Sequence, residues 1–197
     1  MKLKQTLVAV AVALAPMAAM AGGSLDVFYV NQDIDPDGAP SDDGDGFGFR
    51  GQAMLGHGVS LTGLYQNADL DNANVNLVET RIGLSYDSQL QGINVGAGAE
   101  TVSADLNASG PGASLRGYSI NGHASLKVID NLSAYARIGY TDLDEADGME
   151  YEAGLRYALD KNFSAFVEYR YADLNDNGLF GADFKLSTLR VGGGYTF

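Results

Sequence analysis

Cysteine is absent from all 197 residues, so no disulfide can staple this fold, and thiol chemistry and thiolate metal sites are excluded. Histidine is almost absent: His57 and His123 are the only two. No Ser/His/acid grouping is found outside the lumen predicted below, so the chain reads as non-catalytic. Basic residues number 12 against 25 acidic ones, and a net charge of −13 disfavours nucleic acid and other polyanions as partners. After the first 21 residues, no apolar run approaches the roughly 20 residues of a membrane-crossing helix. What the chain has in quantity is glycine (26) and aromatic side chains, 11 tyrosines and 8 phenylalanines.

The single long apolar run lies at the start. Lys2 and Lys4 precede an apolar stretch from Thr6 to Met20, and Ala19-Met20-Ala21 has the A-x-A form of a cleavage site. The stretch is short for a membrane anchor, contains Pro16, and runs into Gly22-Gly23-Ser24 rather than a stop-transfer cluster. Residues 1–21 therefore read as a signal peptide that is removed, and 22–197 as a single domain.

Within that domain the dominant signal is period-2 alternation. Tyr151, Ala153, Leu155, Tyr157 and Leu159 alternate with Glu152, Gly154 and Arg156; after the turn Asp160-Lys161-Asn162, Phe163 to Tyr171 repeat the pattern. This is an antiparallel hairpin with one apolar and one charged face. The same rule predicts ten strands: 25–31, 47–55, 59–67, 77–86, 93–101, 117–128, 132–141, 151–159, 163–172 and 186–197. Short turns at 56–58, 87–92, 129–131 and 160–162 alternate with longer polar loops at 32–46, 68–76, 102–116, 142–150 and 173–185. The expected fold is all-β: an antiparallel up-and-down transmembrane β-barrel of ten strands, with eight as the alternative if the first two are mis-drawn.

Parity then assigns the two faces. Val27, Leu61, Ile82, Leu84, Ile120, Ile138, Leu155, Val167 and Val191 face lipid, and no mid-strand charge accompanies them. The opposite row forms a lumen charge ladder: Arg50, Glu79, Arg81, Glu100, Arg137, Glu152, Arg156, Glu168, Arg170 and Arg190, with Asp26, His123 and Lys127 on the same side. Glu152 with Arg156 and Glu168 with Arg170 are the expected pairs. Slipping the 151–171 hairpin by one residue would put two arginines in lipid, at about 2–4 kcal/mol each. Tyr29, Phe47, Tyr65, Tyr118, Tyr140, Tyr151 and Tyr171 fall at the loop ends of the lipid rows, and Tyr86, Tyr157, Phe163 and Phe197 at the turn ends, as two interfacial girdles.

The last strand, Leu189-Arg-Val191-Gly-Gly193-Gly-Tyr195-Thr-Phe197, ends on an aromatic residue with apolar or small residues at alternate positions before it. With the 151–171 hairpin and the leader, it makes the chain resemble the small OmpX/OmpA-type, porin-like outer-membrane β-barrels of Gram-negative bacteria. The resemblance covers the whole of 22–197, although the best-known small members have eight strands. It implies a bacterial outer-membrane location with both termini periplasmic and the long loops extracellular. It implies a lipid bilayer with lipopolysaccharide as surroundings, and periplasmic chaperones and the barrel-assembly machinery as biogenesis partners. Tyr195 and Phe197 would carry the assembly signal.

Remaining motifs have plain readings. Gly46-Phe-Gly48-Phe-Arg-Gly51 fits G-x-G-x-x-G but lies inside an alternating strand, not between a strand and a helix. Asp33-Ile-Asp35-Pro-Asp37-Gly38 and Asp173-Leu-Asn175-Asp176-Asn177-Gly178 begin like calcium loops, yet Gly44 and Phe184 stand where the closing Glu belongs. No cofactor is expected. Asp33, Asp35, Asp37, Asp142, Asp144, Asp173 and Asp176 are candidates only for loosely held Ca²⁺ or Mg²⁺ on an acidic crown. Ala68-Asp-Leu-Asp, Tyr140-Thr-Asp-Leu-Asp and Tyr171-Ala-Asp-Leu-Asn recur at strand-to-loop junctions. Two functions remain in view, and cation-bridged adhesion through the acidic crown is compatible with either. One is a structural or surface-interaction barrel whose lumen is filled by ion pairs and by Phe28, Met54, Tyr135 and Phe166. The other is a narrow channel for small solutes or ions, with room left by inward glycines such as Gly48, Gly96, Gly154 and Gly194.

Overall fold

The computed structural model describes residues 22–72, 75–107, 113–176, 178 and 181–197; the expected signal peptide lies outside them. Ten strands follow one another: β1 (Gly23–Pro36), β2 (Asp42–Gly56), β3 (Val59–Leu70), β4 (Val75–Leu90), β5 (Ile93–Asn107), β6 (Ala113–Ile129), β7 (Leu132–Leu143), β8 (Ala146–Ala158), β9 (Phe163–Asp176) and β10 (Phe184–Thr196). Each pairs antiparallel with its chain neighbours, and β1 pairs with β10 to close the barrel. The seam is sealed at the terminal end, where the backbones of Gly23 and Phe197 exchange hydrogen bonds of 3.3 and 3.1 Å. Ten strands are what the alternation predicts, so the eight-strand alternative falls.

Following the pairing once around the wall, from Asp26 through Arg50, Leu64, Arg81, Val102, Gly117, Leu143, Ala146 and on past Asp176, returns to β1 about 12 residues further along. That stagger corresponds to a strand tilt of about 40°. At the turn end, His57-Gly58 and Gln91-Gly92 are two-residue connections with positive φ at both positions (53° and 80°; 51° and 86°). This is the turn whose twist matches a hairpin.

The connections at the other end are shorter than the sequence predicts. β1 continues to Pro36 and β2 begins at Asp42; the connection from β7 to β8 is only Asp144-Glu145, as short as any turn at the opposite end. The expected strict alternation of short turns and long loops is therefore corrected. The cause lies in the side-chain pattern. Up to the tyrosines, apolar residues point outward and polar ones inward; past them the two faces exchange character. On β9, Tyr169 is exposed on the outside and Arg170 buried inside, whereas two rows on Asp173 is exposed and Leu174 buried. On β3, Asp69 is exposed and Leu70 buried. The recurring Asp-Leu pairs mark this exchange, not the end of a strand.

Candidate functional site: the filled lumen

Three layers fill the bore. Nearest the loops, Leu77, Ala146, Ala172, Leu174, Phe184 and Leu186 form one buried apolar cluster, with Ile34, Ala104 and Leu106 packed against it. Val102, Leu115 and Leu143 form a second cluster that also meets Ala104. The sequence reading missed this plug, because Leu115, Leu143 and Leu174 sit at the inward parity of segments read as polar loop, and Leu77 and Leu186 only at the first position of a predicted strand.

Below the plug lie six arginines and six carboxylates joined in two balanced groups. In the first, Glu150 takes both Arg81 Nη atoms at 2.9 and 2.6 Å and Arg170 Nη2 at 2.5 Å. Glu79 accepts from Arg81 Nε at 2.6 Å and from Arg170 Nη1 at 2.8 Å, while Glu100 pairs with Arg137. In the second, Asp26 accepts the forks of Arg50 (3.2 and 3.1 Å) and Arg156 (2.9 and 2.7 Å). Glu168 takes Arg50 Nη1 at 2.8 Å, Tyr135 Oη at 2.8 Å and Arg190, and Glu152 takes Arg190 at 3.3 Å. Gln66 ties the groups together, donating to Glu79 and accepting from Arg190 Nε, both at 2.8 Å. With Asn121 on Glu100, every strand contributes a side chain.

All ten predicted ladder residues are in this network, but the expected pairs are not formed. Arg156 goes to Asp26 rather than Glu152, and Arg170 to Glu79 and Glu150 rather than Glu168. Some pairs are local, as Arg81 with Glu79 on one strand and Arg50 with Asp26 or Arg190 with Glu168 across a strand pair, but Arg156 and Arg170 reach Asp26 and Glu79 on strands that are not their neighbours. Glu150, assigned to the acidic loop, is in fact buried. Gln66 went unnoticed, since an amide has no charge to flag it.

The aromatic filling is also partly as predicted. Phe28 and Phe166 meet edge to face, 6.1 Å between centroids and 72° between planes. Arg50 and Arg156 lie 5.5 and 4.9 Å from the centre of the Phe166 ring, and Arg190 lies 5.7 Å from that of Phe28. Met54 departs from expectation: it is 56% exposed at the turn end, where the β2–β3 register shifts. The inward glycines leave less room than the count suggests. The space beside Gly48 is occupied by the Phe28 ring, beside Gly154 by Tyr135, beside Gly96 by His123, and beside Gly194 by Asp26 and Arg156.

The third layer, at the turn end, is a vestibule of about 480 Å³ that reaches from Ser24 and Thr196 up to Arg81, Arg170 and Arg190. His123 hydrogen-bonds Asp87 there at 2.8 Å, and Asp87 belongs to β4 rather than to a turn. His57 stays in its two-residue connection, next to Gly58, whose carbonyl accepts the Asp87 backbone N–H at 2.8 Å.

On the outside, Tyr29 pairs with Phe47, Tyr151 with Tyr171, and Phe49 stacks on Tyr65 at 5.1 Å. Carboxylates begin in the next rows, and two bind tyrosines directly: Tyr118 donates to Asp142 at 2.8 Å and Tyr140 to Asp147 at 2.7 Å. Of the cation candidates, Asp37 meets Lys185 at 3.4 Å and Asp176 accepts from Gly181 N at 2.7 Å. Among the described residues no three carboxylate or imidazole groups come together as an ion-holding set. The second calcium-like stretch includes residue 177, outside the described residues.

The fold is that of known small barrels. The chain is similar to the Neisserial surface protein A (13% identity, 90% of this chain and 99% of that one, TM-score 0.52). It is similar also to the outer-membrane protease OmpT of Escherichia coli (10% identity, 89% and 97%, TM-score 0.53). At these identities the likeness is one of fold alone. No match is found among the curated proteins. The family described as "Outer membrane protein beta-barrel domain" matches residues 6–197, and its outward apolar wall, tyrosine rows and closed sheet are those of a barrel in lipid. The chain belongs to the outer-membrane protein β-barrel family.

Proposed function

We propose that this protein is a non-conducting outer-membrane barrel with a structural or surface-interaction role. The observation that carries this reading is the sequence of two barriers in one bore, the ion-pair network and the apolar plug above it. A hydrated ion would have to break buried charge pairs and then cross a layer offering it no hydrogen bonds. Wide aqueous pores use 16–18 strands, and ten leave little bore after side chains are placed. The reading takes both termini and the short turns as periplasmic and the acidic end as extracellular, in lipopolysaccharide. Residues 1–21 are then a cleaved signal peptide, and Tyr195 and Phe197 are read by the assembly machinery after chaperone delivery. The reading assigns the barrel no catalytic role.

Planar-bilayer recording of the purified barrel tests the proposal: no stable unitary steps are expected, and ion-selective steps would overturn it. The vestibule favours a second reading, a narrow channel, which those steps would support.

A further inference from the structure

The vestibule is blind on its loop side and of the volume that takes a small organic ligand, about 480 Å³. Its exposed charge is unequal in sign. The side chains of Arg50, Arg137 and Arg156 are 25, 21 and 29% accessible, whereas those of Asp26, Glu168 and Glu100 are 5, 0 and 11%. Guanidinium edges therefore face the cavity, and their carboxylate partners lie behind them. Asp87 is the exception, 37% accessible at the rim, and it is held by His123.

The three arginines are not equally engaged. Arg50 and Arg156 each spend two N–H groups on Asp26, Arg50 adds Glu168, and Arg156 adds Ser164. Arg137 contacts Glu100 through Nη2, its Nε is buried out of a ligand's reach, and its Nη1 makes no hydrogen bond among the described residues. A planar fork with unused donors is the group that binds carboxylate or phosphate oxygens. Gln52, Thr62, Asn121, Ser125 and Ser133 supply hydroxyls and amides to the same cavity, between Leu64, Leu84 and Ala136, a lining suited to a hydroxylated body with apolar faces.

We propose that the vestibule binds a small hydroxylated organic acid entering from the turn end, with Arg137 holding its carboxylate or phosphate. This goes beyond the closed-barrel reading and fails independently of it, because conductance and ligand binding are separate measurements. Isothermal titration of the purified, folded barrel with glucuronate, glucose 6-phosphate and neutral glucose tests it. At least one of the two acids should bind and glucose should not; which acid binds identifies the oxyanion. R137Q should weaken binding roughly tenfold or more, the loss of a charge-assisted hydrogen bond, and R137K should restore part of it. If R137Q does not fold, S125F, which narrows the cavity and replaces no member of the network, should abolish binding instead. No binding of either acid at millimolar concentration, equal binding of glucose, or indifference to these substitutions overturns the proposal.

Discussion

Replacing Glu150 by alanine should cost the barrel about 3–5 kcal/mol, the penalty of breaking a buried ion pair from one side. The carboxylate is 4% exposed and accepts three charge-assisted hydrogen bonds, two from Arg81 and one from Arg170. At about 1.5–3 kcal/mol each, these set a ceiling above that range. Glu79 lowers the ceiling, since it still faces both guanidiniums after the change, and water entering the space lowers it further. Neither arginine can turn to solvent, their side chains being 3 and 5% accessible. The measurement is urea unfolding in lipid vesicles, with the heat-dependent mobility shift on SDS gels as a second readout. Glu145→Ala, in the exposed two-residue connection, is the control and should stay within about 0.5 kcal/mol. The double change Arg81→Met with Glu150→Leu should recover part of the loss, because it removes both charges together. If Glu150→Ala is as mild as Glu145→Ala, the residue is a solvated loop acid and the network as described is wrong.

Three further outcomes follow from other layers. Leu174→Ala should destabilise by about 2–5 kcal/mol and make the loop end more open to protease, whereas an unaltered cleavage pattern would contradict a packed plug there. Asp160 accepts backbone N–H bonds from Asn162 (2.8 Å) and Phe163 (2.7 Å), which hold its pKa below the usual carboxylate value. Its contribution is thus present above the unfolded-state pKa near 4 and is lost as pH falls through the lowered folded value. Asp160→Ala should accordingly lower the melting temperature at pH 7 and converge on wild type at strongly acidic pH; a gap unchanged by acid would refute the role. Phe197→Ala should reduce the folded protein reaching the membrane in cells while refolding in detergent proceeds, and equal losses in both would point to packing against Tyr195 instead.

The barrel was legible from alternation because each membrane-level strand has one face in lipid and one in a charged bore, and a one-residue slip is costly. The ten strands, their faces and the tyrosine rows all follow from that contrast. What was not legible lies where the contrast reverses. Past the tyrosines, water is outside and the plug inside, so Asp69, Asp173 and Asp142 point outward while Leu70, Leu174 and Leu143 point inward. A reading that expects apolar residues at the outward parity finds them on the wrong face and ends the strand there. The cue was present in the recurring Asp-Leu pairs, whose period of two continues with its polarity inverted.

Pairing was illegible for a different reason. Parity says which residues enter the bore but carries no information about contacts across it, which depend on stagger and radius. Arg156 and Asp26 are 130 residues apart in sequence yet 2.7 Å apart in space, brought together only when β1 closes on β10. The network is therefore a product of closure. Asp26 and Arg50 come from the first two strands, and Arg156, Glu168 and Arg190 from the last three, so the second group is incomplete until the seam forms. An open sheet could pair Asp26 with Arg50 and Glu168 with Arg190 across their hairpins, but those charges would be wet and would lack the Arg50–Glu168 and Arg156–Asp26 links that closure adds. The same residues that fix the register of each strand thus also favour closing the wall, and their burial is a consequence of that step.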